Sequence, residues 1–201
     1  MLDNTLLFLQ AFTVNLKLGL ITLAIGLVIG LPTAVVRHRG AGLGKGTING
    51  VIYFLRAFPT YVLLFITFNI LMSIGFFEGA SQTFVAQAAL VIALSSYTIS
   101  ACSDACLTFL SQMARDQPDQ AWLIIPNVVQ IFIVTAVSTA LGAAIGVQEA
   151  VMFTIKLADS LASRGERILL MFVVVIFFTV VGLSVKWMVD QVAARLIAKS
   201  R

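Results

Sequence analysis

Long apolar runs separated by short polar clusters set the pattern of this chain. The first run extends from Leu6 to Val36 and stops at Arg37-His38-Arg39. Further runs cover Ile48 to Gly75, Ala80 to Ala105, Trp122 to Gly146 and Ile168 to Met188. A helix needs about 20 predominantly apolar residues to cross a bilayer, so each run predicts one span. The expected fold class is all-α: a polytopic transmembrane helical bundle of five spans, with residues 1–201 as a single transmembrane domain. Neither an internal repeat nor a long linker divides it.

Composition agrees. Of the 201 residues, 60% are apolar and 11% charged, with a mean hydropathy of +1.02. Soluble domains average roughly 25% charged residues, so most of this surface is built to face something other than water. The net charge of +4 does not point to nucleic acid, because the basic residues collect in short loops and at the C-terminus. Arg37, Arg39 and Lys45 fall between the first two runs, and Lys186, Arg195, Lys199 and Arg201 near the end, while the loop around Glu78 has no basic residue. The positive-inside rule then predicts the N-terminus outside and the C-terminus cytoplasmic. Arg164 and Arg167 oppose this, but Glu149, Asp159 and Glu166 accompany them. The first run lacks a basic leader and outlasts a typical signal-peptide core, so no cleavable signal is expected.

Several motifs tempt and fail. "GAGLGKGT" (Gly40–Thr47) suggests a phosphate loop, but Arg39 and Gly46 occupy the positions where that motif needs Gly and Ser or Thr. A flexible loop between two spans is the better expectation. His38 is the lone histidine, and no catalytic or metal-ligating set can be assembled, so neither enzyme activity nor a bound metal is expected. Cys102 and Cys106 share one helical face and read as small buried side chains. "GLVIG" (Gly26–Gly30) permits close helix approach without naming a partner.

Three polar features remain. Arg56 and Pro59 interrupt the second run in "FLRAFPTYVLLF" (Phe54–Phe65). They are tolerable where they face a bundle interior or a water-lined cavity; an interfacial arginine and a simple kink are the plainer alternative. Ser96, Ser100 and Ser103 recur at helical spacing beside Tyr97, which fits interhelical hydrogen bonds and a substrate path alike. Leu107–Asn127 mixes apolar positions with Arg115, Asp116 and Asp119 around Pro118. It predicts a short amphipathic element lying along the membrane surface and shaped for a cytoplasmic partner.

Taken in order, these pieces resemble the permease subunit of ABC importers of the polar amino-acid type. "RAFPTYVLLF" matches that family's R-G-T-P-L-L-V-Q-L-F-like motif at Arg56, Pro59 and the closing Leu64-Phe65. "SSYTIS" keeps Tyr97 and Thr98 of A-Y-T-x-E, with Ser100 where the family has glutamate and Ser103 where it has arginine. "STALGAAIGVQEAVMFTI" (Ser138–Ile155) is similar to the family's S-T-A-L element and the external helix that begins near E-L. Counting back from Pro126, the E-A-A coupling signature keeps its spacing through Ile125 and Leu123. Met113 replaces its glycine, and Leu107-Thr108-Phe109 replaces E-A-A.

The resemblance implies a bacterial inner-membrane permease for polar amino acids or a similar small solute, working as one of a pair. It implies a substrate pathway through Arg56, Pro59, Ser96, Tyr97, Ser100, Ser138 and Thr139. It also implies coupling to cytoplasmic ABC ATPases through Leu107, Phe109, Met113, Arg115, Asp116 and Pro126, and delivery by an external binding protein. ATP would be bound by the ATPases, and this chain would hold no cofactor. Loss of the polar E-A-A residues fits a rival reading, a diverged membrane subunit that scaffolds or regulates a complex without transporting.

Overall fold

In the computed structural model the described residues are 2–74 and 79–200. The chain opens with α1 (Leu2–Arg39), 38 residues with Asp3 in the first turn and Arg37, His38 and Arg39 in the last, signs that suit the helix dipole. Two residues later comes α2 (Gly42–Ala57), so the expected flexible loop is mostly helix. Next is α3 (Thr60–Ser73), then α4 (Gln82–Ala114), capped by Ser81, whose hydroxyl accepts from Phe84 N. A single turn, α5 (Pro118–Ala121), leads into α6 (Ile124–Ser138) and a 3₁₀ segment (Thr139–Ile145). Short α7 (Ala150–Ser160) and long α8 (Arg164–Ser200) complete it.

Among the described residues, four stretches are long and apolar enough to cross a membrane: Asp3–Arg39, Gln82–Ala114, Asp119–Ile145 and Arg164–Arg195. The second expected span is not one rod. It is split into α2 and α3, bent by 92°. Pro59 lacks an N–H and forces the residue before it out of helical geometry; Phe58 is extended, at φ −67° and ψ 126°. At 1.5 Å per residue α2 and α3 are about 24 Å and 21 Å long, each short of a ~30 Å hydrocarbon layer. Gly75, the expected end of that span, Glu78 of the loop that follows, and Arg201 lie outside the described residues.

The bundle is organised around α4. Its apolar stretch is 56% buried, against 6% for α8. Ala86, Ala89, Leu90, Ala93 and Leu94 of α4 form a core with Leu18 of α1, Leu64 of α3, and Ile145 and Val147. The α1–α4 approach depends on Gly26 and Gly30. A Cβ at Gly26 would lie 2.9 Å from Thr98 Cβ, and one at Gly30 would lie 2.8 Å from Cys102 Cβ. The G-x-x-x-G therefore has an intramolecular partner, and both cysteines are free and buried at or near that seam. The outer helix α8 is held to α1 by aromatic edges: Phe8–Phe177 and Phe12–Phe177 at 5.1 Å, and Phe12–Phe178 at 5.3 Å.

The amphipathic element expected over Leu107–Asn127 is not a separate surface helix. Nothing between Ala105 and Ala114 stops a helix, so α4 continues through it. The stop comes at Asp116, which takes a left-handed φ of 57°. Gln117 N donates to Gln112 O at 3.1 Å and Asp116 N to Met113 O at 3.2 Å, the two bonds of a Schellman cap.

Candidate functional site

The break at Phe58–Pro59 sets Arg56, in the last turn of α2, against α4. There it forms an ion pair with Asp104 Oδ2. Arg37, from the last turn of α1, donates to the other carboxylate oxygen: Nη1 lies 2.8 Å from Asp104 Oδ1. The same Nη1 is 2.9 Å from Ser103 Oγ, and Nε donates to Asn49 Oδ1 of α2 at 2.8 Å. Thr33 Oγ1 adds a bond to Ser103 Oγ at 3.0 Å. One carboxylate thus ties three helices through two guanidiniums and leaves an excess positive charge. The two arginines differ in exposure. The Arg37 side chain is 12% exposed, that of Arg56 50% and that of Asp104 38%. Arg56 and one side of Asp104 therefore lie open at the surface of this chain, while Arg37 is locked in.

Asp104 escaped the motif reading although the sequence carries a signal for it. It is the sole acid in the third apolar run, and an ionisable side chain in such a run marks a functional position by default. Arg37, read as a loop charge, belongs to the bundle.

The serine stripe splits. Ser96 Oγ donates to Ala93 O and Ser100 Oγ to Tyr97 O, both at 2.8 Å within α4, whereas Ser103 alone bonds across helices. Tyr97 is half-buried against Cys102, Ala105 and Ile131. Ser138 closes α6, half-buried. Thr139 belongs to a second polar centre. Asn15 Nδ2 of α1 donates to Thr139 Oγ1 and to Glu149 Oε2, each at 2.9 Å, and Asn15 Oδ1 accepts from Ala150 N at 3.1 Å. Glu149, fully buried, caps α7 by accepting from Met152 N at 2.8 Å and Val151 N at 2.9 Å. Burial pushes its pKa up from 4.5, against the pull of these hydrogen bonds. The expected pathway residues therefore have two sets of neighbours, Arg56 with Asp104 and Thr139 with Asn15 and Glu149.

No family model matches the sequence, and no curated protein matches it. Solved structures do. A chain of an amino acid ABC transporter crystallised with histidines superposes with a TM-score of 0.73 at 19% identity, over 97% of this chain and 96% of that one. A chain of the methionine ABC transporter MetNI, in inward-facing conformations, gives 0.66 at 16% identity, over 96% and 97%. This chain has the ABC permease fold. The likeness runs nearly end to end along this chain.

At one end of this permease fold lies the turn between α4 and α6. Leu107 and Phe109 are half-buried on α4; Met113, one turn beyond Phe109, is 51% exposed. Arg115 and Asp116 are exposed in the turn, together with Trp122 and Leu123. Pro126 falls in the first turn of α6, where its missing N–H costs little. The left-handed position is Asp116, three residues beyond Met113, which is itself helical.

Proposed function

We propose that this chain is the membrane-spanning permease subunit of a bacterial ABC importer for polar amino acids or a similar small solute. The end-to-end likeness to the amino acid transporter chain carries the reading. The broken span, with Arg56 half-exposed beside it, supports a polar passage at that end. The chain itself carries out no covalent chemistry and holds no cofactor; partner ATPases bind and hydrolyse ATP. A second permease, identical or related, and an external binding protein complete the assembly in the inner membrane. The basic end of the bundle, with the α4–α6 turn, faces the cytoplasm.

The mechanism follows from α4. It is one unbroken helix from Gln82 to Ala114, so displacement at its exposed end moves Ser96, Ser100 and Asp104 as one rod. Closure of the ATPases on nucleotide pushes the Phe109–Met113 face. That motion loads the Arg37–Asp104–Arg56 tie, and the spans rearrange for alternating access.

The test is co-purification with the ATPase and substrate-stimulated hydrolysis in proteoliposomes. Apolar anchors commonly cost about 2 kcal/mol or more on truncation and rim charges less, so Phe109→Ala with Met113→Ala should release or uncouple the ATPase while Asp119→Ala does little. If the wild-type chain brings down no ATPase, the importer reading fails and the scaffold reading replaces it.

A further inference from the structure

We propose that a cavity between α1, α2 and α4 binds the phosphate of an anionic phospholipid headgroup. The cavity measures about 400 Å³, and its walls include Arg37, His38, Lys45, Asn49, Tyr53 and Ser111. Every one of these side chains offers a hydrogen-bond donor, and among the described residues no carboxylate lines the space. Arg37 is tied to Asp104, but Asp104 is shared with Arg56, so the wall keeps its positive excess. Among the described residues the side chains of His38, Lys45, Tyr53 and Ser111 have no hydrogen-bond or ion-pair partner. No Asp or Glu occurs between Asp3 and Glu78 to neutralise them. A concave set of unsatisfied donors with net positive charge selects an anion, and a phosphate oxygen accepts from several donors at once.

Depth and surroundings favour a lipid as the source of that phosphate. Arg37 follows directly on the apolar run that ends at Val36, so the cavity opens where α1 leaves the hydrocarbon, at headgroup level. The outer side of α2 carries Leu43, Val51 and Phe54 at 91%, 50% and 63% exposure. These offer acyl chains a surface beside the cavity. Basic pockets between spans at this depth suit anionic headgroups, whereas a choline headgroup brings its own cation. The assignment is independent of the transport reading.

The experiment uses the purified full chain in nonionic detergent, titrated with dioctanoyl phosphatidylglycerol, dioctanoyl phosphatidylcholine or inorganic phosphate, with adducts counted by native mass spectrometry. Wild-type chain should prefer the glycerol lipid, and Lys45→Gln should weaken that lipid about five-fold, the size expected for one interfacial cation. Ser111→Ala should weaken it less, and Lys186→Gln on distant α8 not at all. Equal binding of the two lipids overturns the proposal, as does a preference that survives Lys45→Glu. If inorganic phosphate binds as tightly as the glycerol lipid, with the same dependence on Lys45, the ligand is the free anion and the lipid assignment falls.

Discussion

Replacing Asp104 by Asn keeps the side chain's shape and one acceptor oxygen but deletes the only charge among the described residues that pairs with Arg37 and Arg56. The Arg37 guanidinium is almost enclosed, at 12% exposure, and lies 2.8 Å from Asp104 Oδ1. Unit charges about 4 Å apart attract by about 4 kcal/mol at an effective dielectric of roughly 20. Breaking a fully buried pair by removing one partner costs about 3–5 kcal/mol. Asp104 is itself 38% exposed, and Asn still accepts one bond. The expected loss for Asp104→Asn is therefore about 2–3 kcal/mol, below the fully buried range. Arg56→Ala should cost no more than about 1 kcal/mol, since a half-exposed ion pair is worth little. The assay is reversible unfolding in mixed micelles, followed by circular dichroism and by the fluorescence of Trp122 and Trp187. Asp104→Asn within about 0.5 kcal/mol of wild type would refute the idea that this carboxylate ties the helices. A loss for Arg56→Ala equal to that for Asp104→Asn would show that the exposed pair, not Arg37, carries the energy.

In reconstituted uptake, Arg56→Ala should lower the initial rate on the order of ten-fold, as when a charge-assisted contact of about 1.5 kcal/mol is lost, with abundance near normal; wild-type kinetics across substrate concentrations would remove Arg56 from the pathway. Arg56→Lys separates charge from the planar donor fork. Asp116→Gly relieves the left-handed strain at the end of α4 and should stabilise the chain by roughly 0.5–1 kcal/mol in the same unfolding assay; a loss would mean that the Asp side chain makes the turn. Glu149 binds its proton more tightly folded than unfolded, so its contribution is complete below pH 4.5 and declines as pH rises through the higher folded-state value. Stability of the wild type minus that of Glu149→Gln should follow that sign, and a difference that grows with pH would contradict it. Cysteines placed at Gly42 and Ser200 should resist an impermeant external thiol reagent while one at Ala162 reacts; the reverse pattern overturns the orientation.

Much of this architecture follows from local sequence. Apolar runs near 20 residues have no stable alternative to helix in a bilayer, and four of the five expected spans recur as unbroken stretches. The stop at Pro59 and the start of α7 after Glu149 are also local, because a missing N–H and a side-chain cap act within a turn. What the Pro59 break would do to the path of the chain was not legible. A proline can kink a helix by a few degrees or end it, and the 92° between α2 and α3 is settled by how both pack on α4. Pairing was equally hidden. Arg37 reads as a loop cation, and no motif draws attention to Asp104, 67 residues away in sequence. Only the close α1–α4 seam, permitted by Gly26 and Gly30, brings them to 2.8 Å. In the same way Asn15 and Glu149 are 134 positions apart and meet because α7 folds back onto α1. Hydrophobic periodicity reports which residues avoid water and which turns are cheap, since both depend on near neighbours along the chain. Which buried charge satisfies which depends on the register between helices, and side-chain volumes at the seams decide that register.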